Sequence, residues 1–267
     1  MAAHRRWLLM SFLFLEVILL EAAKILTIST LNFRKEKPSY QVINWRPPED
    51  QEKKFADLRH RLTEEITYGR SKHHTLLKIH QYFGDLCSQL LSRKDIMDFL
   101  KNENFDLVLL DSMDLCSLLI VEKLGKRFVS FLPFQFSYMD FGLPSAPLSY
   151  APVYGSGLTD QMDFWGRVKN FLMFLDFSMK QREILSQYDS TIQEHFVEGS
   201  QPVLSDLLLK AELWFVNSDF ALDFARPLFP NTVYVGGLLD KPVQPIPQVS
   251  DKLALTLYFI QRPTILR

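Results

Sequence analysis

Residues 105–132 read FDLVLLDSMDLCSLLIVEKLGKRFVSFL and combine strand and helix patterns within a short stretch. Phe105–Leu110 is an apolar run typical of a strand that is buried on both faces. Cys116–Leu124 has a helical pattern, and Gly125 is the residue type that often ends a helix in the left-handed conformation. Phe128–Leu132 is a second buried strand. A strand, a helix and a strand joined by short turns form a βαβ unit, so the sequence predicts an α/β fold with a Rossmann-like parallel sheet.

The flanking sequence continues this alternation in both directions. Further strands are predicted at Ile25–Thr30, Tyr40–Trp45, Leu213–Asn217 and Val233–Val235, and further helices within Asp50–Arg93, Gln161–Gln181 and Ser200–Leu209. The first two strands raise a difficulty, because only the residues 31–39 separate them. Two parallel neighbouring strands require a crossover of about a dozen or more residues, usually a helix, and this short polar stretch with a proline does not supply one.

The helix predicted over Gln161–Gln181 has apolar residues nearly all the way round its circumference. Such a pattern is typical of a helix that is buried in a core or that lies in a membrane interface, and burial is the interpretation that we prefer from the sequence alone. The 22 phenylalanines of the chain leave a similar choice open, between a Phe-rich core and an aromatic pocket for apolar molecules.

The first 23 residues have the features of a secretory signal peptide. Arg5 and Arg6 precede the apolar run Trp7–Leu20, and Ala22 and Ala23 provide small residues for cleavage. The alternative, an uncleaved membrane anchor, requires about 20 apolar residues, and this run is shorter. We therefore expect the mature chain in the endoplasmic reticulum lumen or outside the cell.

Charge, cysteine content and motifs narrow the classes of function. The formal net charge is −1 and no long basic run occurs, so the electrostatic footprint of a nucleic-acid-binding protein is missing. Cys87 and Cys116 are too few for a disulfide framework. One bridge in an oxidising compartment is open, but both cysteines lie in apolar sequence, and buried free thiols are the preferred interpretation. No zinc-binding spacing and no Walker, G-x-G-x-x-G or G-x-S-x-G motif occurs, so no metal site or cofactor is predicted.

Asp111 is the strongest candidate for a catalytic residue, with Asp114 close behind it. It follows a predicted buried strand, and open α/β sheets bind ligands at the carboxyl ends of their strands. An ordinary aspartate, with a pKa of ~3.9, is a poor general base, but it suits the role of orienting a histidine and stabilising its cation. The alternative is that a strand-end aspartate only caps the following helix.

The sequence offers no obvious histidine to work with that aspartate. His4 lies in the predicted signal peptide, and the others, on predicted polar or helical segments, are His60, His73, His74, His80 and His195. None follows a predicted strand. His80 and Cys87 share a helix face, but seven residues of helix separate them by ~10.5 Å, too far for both to bind one metal ion comfortably.

Several segments, taken together, resemble the membrane-bound UDP-glycosyltransferases of the endoplasmic reticulum that are related to UDP-glucuronosyltransferases, most closely the small 3A subfamily. They are EAAKILTIST (residues 21–30), FGLP (141–144), LSYAPV (148–153), LTDQMDFWGRVKN (158–170), WFVNS (214–218) and RPLFPNTVYVGGL (226–238). The resemblance extends from Met1 to about Pro247. It identifies the chain as the amino-terminal portion of such an enzyme, in a shortened form.

The resemblance implies a GT-B architecture, in which two Rossmann-like domains face each other across a cleft and the amino-terminal one binds the acceptor. It also implies inverting transfer of a hexosyl group from a UDP-sugar to a hydroxyl of a small lipophilic acceptor. The UDP-sugar is a co-substrate of the family, and no cofactor is implied. In such enzymes a histidine in the loop after the first strand deprotonates the acceptor, and an aspartate assists it. Asp111 falls on the position of that aspartate.

Two departures from the family's pattern bear on activity. The first strand should lead into a Gly-Ser-His type loop, a helix and a second strand, but here Thr30 passes directly to Leu31–Arg34. One βα unit, with its histidine, is therefore expected to be missing. Residues 248–267 do not resemble the UDP-sugar-binding domain that should follow, nor the membrane anchor at its carboxyl end. Both defects fall at segment junctions, which indicates an exon-skipped or truncated product.

The sequence therefore predicts a signal peptide over residues 1–23, an incomplete acceptor-binding domain over 24–247 and an atypical tail over 248–267. The expected function is that of a UDP-glycosyltransferase fragment that is inactive alone. One alternative is a non-catalytic protein that binds lipophilic ligands, or that regulates full-length relatives by forming homo- or hetero-oligomers with them. Another is a chain that does not fold stably, because the missing unit exposes apolar strand edges.

Overall fold

The computed structural model describes residues 17–21, 24–29, 41–45, 47–67, 73–103, 105–133, 147–153, 155–219 and 224–237. The strands are β1 (Val17–Glu21), β2 (Lys24–Ser29), β3 (Gln41–Asn44), β4 (Leu107–Asp111), β5 (Phe128–Leu132), β6 (Leu213–Val216) and β7 (Thr232–Tyr234). The helices are α1 (Glu49–Thr67), α2 (His73–Leu91), α3 (Lys94–Asn102), α4 (Leu115–Leu124), α5 (Phe164–Ser186), α6 (Asp189–His195) and α7 (Leu204–Leu208). The predicted tail over 248–267 lies outside the described residues.

The strands form one sheet in the order β3-β2-β1-β4-β5-β6-β7. The strands from β4 to β7 are parallel neighbours, with Val108 opposite Phe128 in the first pair and Trp214 opposite Thr232 in the last. Helix α4 joins β4 to β5, and α5, α6 and α7 lie in the chain between β5 and β6. This parallel part confirms the predicted α/β fold and the βαβ unit over residues 105–132.

Strand β1 departs from the parallel arrangement. It lies between β2 and β4 and runs antiparallel to both, with Leu20 opposite Ile25 on one side and opposite Leu107 on the other. The sequence predicted no strand here, and the two residues between β1 and β2 suffice for an antiparallel hairpin but not for a crossover. Residues 17–21 also belong to the predicted signal peptide, whose cleavage stays a prediction.

Strands β2 and β3 pair in parallel, with Leu26 opposite Gln41. This pairing differs from the expectation, since the residues 30–40 that join the two strands are few for a helical crossover. Those residues lie outside the described part of the chain. The chain therefore passes between two parallel neighbours through an unusually short connection.

The core lies between the sheet and helices that include α2, α4 and α7. Strand β5 is buried along its whole length, and α4 is buried from Leu115 to Val121. Each large aliphatic side chain buried in this way contributes about 1.5–3 kcal/mol to the free energy of unfolding. Helix α4 ends at Gly125, whose φ of 63° is the left-handed conformation that the sequence predicted for it.

Cys87 and Cys116 form a disulfide bond that joins α2 to α4 inside this core. Both residues are fully buried. The preferred interpretation of free thiols is therefore wrong. The apolar context was judged correctly, but the packing of α2 on α4 brings the two Cα atoms to 5.4 Å, within the range that a disulfide spans.

Helix α5 is largely exposed, which corrects the preferred interpretation of burial. Asn170 and Ile184 are buried on the side that faces the rest of the protein, whereas several large apolar residues, among them Trp165 and Leu172, are exposed. The all-round apolar pattern thus comes from two apolar faces, of which the described residues cover one. None of the helices in the described part of the chain has both the length and the apolar content that a membrane crossing requires.

Candidate functional site

The candidate site lies at the carboxyl ends of β4, β5 and β6, which are neighbouring parallel strands. Asp111 is the last residue of β4 and is half-buried. Its Oδ1 accepts a hydrogen bond of 2.9 Å from the backbone N–H of Met113, which holds the carboxylate over the turn that follows the strand. Asp111 therefore lies at the sheet edge that the sequence predicted. Its catalytic role stays a prediction.

Asp114 caps the helix that follows this turn. Its carboxylate accepts a hydrogen bond of 3.1 Å from the backbone N–H of Cys116 and another from the hydroxyl of Ser117, at the start of α4. Burial raises the pKa of this carboxyl to about 6, against the effect of the hydrogen bonds, which favour the charged form. The helix-capping alternative thus describes Asp114 and does not account for Asp111.

Other polar side chains at this edge were not singled out from the sequence. The hydroxyls of Ser112 and Ser130 are buried and in hydrogen-bond contact across β4 and β5. Asn217 follows β6, and its side-chain amide donates to the carbonyl oxygen of Pro133 at 3.3 Å. Its Oδ1 is buried and has no hydrogen-bond partner in the described part of the protein. A polar residue directly after a buried strand is the signal that identified Asp111, and it applies equally to Asn217.

The histidines in the described residues lie on α1, α2 and α6, and none of them follows a strand. On α2, His73 places its Nε2 2.6 Å from an oxygen of Glu183. His80 is buried, with its Nδ1 3.4 Å from the hydroxyl of Tyr188, and burial lowers the pKa of His80 to about 4. These contacts connect α2 to α5 and to the turn after it, so both histidines have a structural role.

Ser88, Glu194 and His195 combine a hydroxyl, a carboxylate and an imidazole, but not in the geometry of a catalytic triad. The Ser88 hydroxyl donates to Glu194 at 2.6 Å and lies 2.9 Å from His195 Nε2. Glu194 lies 3.7 Å from that same nitrogen, whereas in a triad the carboxylate holds the opposite nitrogen of the ring. Burial and the nearby charge of Lys123 also lower the pKa of His195. The cluster links α2 to α6.

Asn170 of α5 organises a loop that the sequence analysis quoted only for its resemblance. Its Oδ1 accepts from the backbone N–H of Val153 at 2.7 Å, and its amide donates to the carbonyl oxygens of Leu148 and Ala151 at 3.0 and 2.9 Å. The side chain is fully buried. The hydrogen bonds of this one side chain therefore hold the segment 148–153 against the segment 158–170, both of which carry the family resemblance. A metal site is not formed by the described side chains, among which no suitable group of three acidic, His or Cys residues occurs.

Residues 16–254 match the family model described as UDP-glucoronosyl and UDP-glucosyl transferase. The matched range contains every strand and helix given above, together with Asp111 at the sheet edge. The chain belongs to this family. The resemblance on which the predicted fold rested is thereby confirmed, and the parallel sheet from β4 to β7 is consistent with the Rossmann-like amino-terminal half of such an enzyme.

Several curated relatives are similar over most of the chain. It is 88% identical to UDP-glucuronosyltransferase 3A2 of Mus musculus and 53% identical to UDP-glucuronosyltransferase 3A1 of Homo sapiens, over 93% and 94% of this chain. It is 34% identical to 2-hydroxyacylsphingosine 1-beta-galactosyltransferase of Rattus norvegicus over 68% of the chain. The alignments cover 54% of each of the two 3A relatives, so the chain spans about half of their length.

The alignment with the mouse 3A2 protein also contains an internal difference in length. It has 281 positions, more than the 267 residues of this chain, although it covers 93% of the chain. Because 93% of 267 residues is about 248, about 33 aligned positions of the mouse protein have no counterpart here. An identity of 88% over 281 positions is about 247 residues, so nearly every matched residue is identical. Within the aligned region, the two sequences therefore differ almost wholly in the unmatched positions.

Proposed function

We propose that this chain is the acceptor-binding part of a UDP-glycosyltransferase that has lost its catalytic base, and that it does not transfer sugar by itself. The observation that carries the proposal is the internal shortfall of about 33 positions against the mouse 3A2 relative. A loop, a helix and a strand fit into about 30 residues. We assign the missing positions to the connection between β2 and β3, where the residues 30–40 join parallel strands with little length for a crossover.

The lost segment would contain the histidine that family members carry after the first strand. The described histidines support this assignment, since they lie on helices and most of them hold carboxylate, hydroxyl or tyrosine partners there. Without a general base the acceptor hydroxyl keeps its proton as it approaches the anomeric carbon, and the rate falls by about 10²- to 10⁴-fold. Asp111 would keep its place at the sheet edge, without an imidazole to orient.

The substrates that we propose for the intact site are a UDP-sugar and a small lipophilic acceptor alcohol. Attack of the acceptor oxygen on the anomeric carbon would break the bond to UDP and invert the configuration of that carbon, while the proton passes to the base. We also propose that the chain works in the endoplasmic reticulum lumen or after secretion. The buried Cys87–Cys116 disulfide supports an oxidising compartment.

A transfer assay with the purified chain tests this proposal. The chain is incubated with radiolabelled UDP-sugars and a panel of lipophilic alcohols, and the mouse 3A2 relative serves as the positive control. We expect no glycoside above the enzyme-free blank, with Asp111→Asn indistinguishable from the unchanged chain. A glycoside above the blank would refute the proposal, and a reduction of at least about tenfold by Asp111→Asn would show that a base works with that aspartate.

A further inference from the structure

Strand β1 lies inside the sheet although its residues belong to the predicted signal peptide. It consists of Val17–Glu21, and cleavage after Ala23 would remove all of it. Its residues pair with β2 from Val17 to Glu21 and with β4 from Val17 to Leu20. The structure with all 267 residues therefore contains a strand that the processed chain would lack.

Removal of β1 would leave β4 unpaired on one side. The side chains of Val108 and Leu110 are 0% and 1% exposed, so β4 belongs to the interior of the protein. Among the described strands, β1 and β5 are its two neighbours. A buried backbone N–H or C=O group without a partner costs free energy comparable to a lost hydrogen bond. The processed chain would therefore be stabilised by any strand that pairs with this edge of β4.

Strand β2 has the direction that this edge requires. Because β1 runs antiparallel to both β2 and β4, these two strands run parallel to each other. Strand β3 is parallel to β2, and β5 is parallel to β4. Without β1, the described strands could form a sheet that is parallel throughout, which is the usual form of a sheet in an α/β protein.

Strands β2 and β4 are also aligned along their length. Ile18 of β1 lies opposite both Thr27 of β2 and Leu109 of β4. Thr27 and Leu109 therefore share one row of the sheet, two strand spacings or about 9.6 Å apart. A sideways shift of one spacing, about 4.8 Å, would bring β2 against β4 without a slide along the strands. Strand β3 would move with β2, to which it is paired.

The same shift would change the surroundings of Asp111. Ser29 is the last residue of β2 and Asp111 is the last residue of β4, and both lie at the same edge of the sheet because the two strands are parallel. Strand β1 keeps these two strand ends two spacings apart. After the shift a single spacing of about 4.8 Å would separate them, and Ser29 would lie directly beside Asp111.

We infer that β1 separates β2 from β4 only while the signal peptide is present, and that its removal lets β2 pair with β4 in parallel beside Asp111. The signal peptide thus keeps the candidate site incomplete until the chain is processed. This inference concerns the assembly of the sheet. It does not rest on the proposed function, because it is the same whether or not the processed chain transfers sugar.

Cysteine pairs in one row of the sheet test the inference. The full chain is translated in a cell-free system that contains oxidised glutathione, without microsomes to keep the signal peptide and with microsomes to remove it. Mass spectrometry identifies the amino terminus of each product. The reporting pair is Thr27→Cys with Leu109→Cys. The matched control is Leu109→Cys with Val129→Cys, because Leu109 and Val129 are parallel neighbours in the same row.

The two products should give opposite results for the reporting pair. Without microsomes it should stay open, because its Cα atoms are farther apart than the roughly 7 Å that a disulfide can span. In that product Ile18→Cys should instead form a bridge with Leu109→Cys. With microsomes the chain should begin at Lys24, and the reporting pair should form a bridge to the same extent as the matched control. Peptide mapping distinguishes each new bridge from Cys87–Cys116.

Hydrogen exchange provides a second measurement that requires no substitution. The backbone amides of Leu107–Leu110 should remain protected in the processed chain, because β2 would pair with them as β1 does in the full chain. Exchange that is at least about a hundredfold faster after processing would show that this edge of β4 stays open, and it would overturn the inference.

Four results of the cross-linking experiment would also overturn it. One is a processed chain in which the matched control forms its bridge and the reporting pair does not. Another is a reporting bridge in the chain that keeps its signal peptide. The third is a reporting bridge between two chains, which would assign the edge of β4 to a second copy. The fourth is a product from the microsomes that still contains residues 17–21.

Discussion

At the residue scale, Asp111 and Asp114 show how neighbouring carboxylates acquire different roles. Asp114 accepts from the first backbone N–H groups of α4 and from Ser117, so it serves the helix. Asp111 is the last residue of the strand, and its carboxylate accepts from the turn N–H of Met113. The sequence showed that an aspartate ends a buried strand, but it did not show which of the two caps α4. That depends on where the turn places each side chain.

Buried His80 predicts a pH dependence of stability. Its pKa in the folded state is about 4, below the ordinary value of 6.5, so at acid pH the unfolded chain binds a proton that the folded one does not. The folded state therefore loses about 2–3 kcal/mol from this residue as the pH falls from 7 to 4.5. Asp114 acts in the opposite direction, since its raised pKa makes its contribution present at low pH and lost as the pH rises through about 6.

Urea unfolding of the unchanged chain and of His80→Gln at pH 7 and 4.5 isolates the histidine. Between pH 7 and pH 4.5 the free energy of unfolding of the unchanged chain should fall by about 2–3 kcal/mol relative to that of the variant, because only the unchanged chain has this imidazole to protonate. His74→Gln, at an exposed position of the same helix, is the matched control and should show no such shift. If the stability difference between His80→Gln and the unchanged chain did not depend on pH, His80 would bind a proton as readily in the folded state as in the unfolded one.

At the element scale, the parallel part of the sheet was predictable because each strand there is a separate apolar run followed by a turn signal. Phe128–Leu132 was predicted to the residue. Strand β1 was not predicted, because its pairing depends on β4, nearly 90 residues away in sequence. The two faces of α5 were likewise beyond the sequence, since an apolar residue that packs and one that is exposed have the same letter.

The Cys87–Cys116 disulfide joins two elements whose contact the sequence did not reveal. A bond between residues 29 positions apart restricts the unfolded chain and is expected to raise the free energy of unfolding by about 3–4 kcal/mol. Guanidinium unfolding with and without a reducing agent measures this contribution. The double variant Cys87→Ala, Cys116→Ala should unfold at a lower guanidinium concentration than the oxidised unchanged chain, both with and without the reducing agent. Identical curves for the unchanged chain with and without reductant would contradict a stabilising bridge.

At the scale of the whole molecule, the family and the position of Asp111 were predictable, because both depend on residues that remain in the chain. The relation between β1, β2 and β3 was not. We propose that a helix and a strand of the family are missing between β2 and β3, and periodicity does not predict how the remaining strands pair around such a gap. In the structure β1 lies between β2 and β4, and the described residues form a sheet of seven strands.

The central claim is that the loss of the unmatched positions is by itself enough to abolish catalysis. It is tested most directly by deleting the roughly 33 unmatched positions from the mouse 3A2 relative and leaving the remainder of that protein intact. Nearly all the matched residues are identical, so this deletion variant joins the present sheet to the rest of the relative. Binding of UDP-sugar to the variant serves as the control for folding. We predict that binding is retained while transfer falls by at least about a hundredfold. Transfer at the rate of the intact relative would contradict the account.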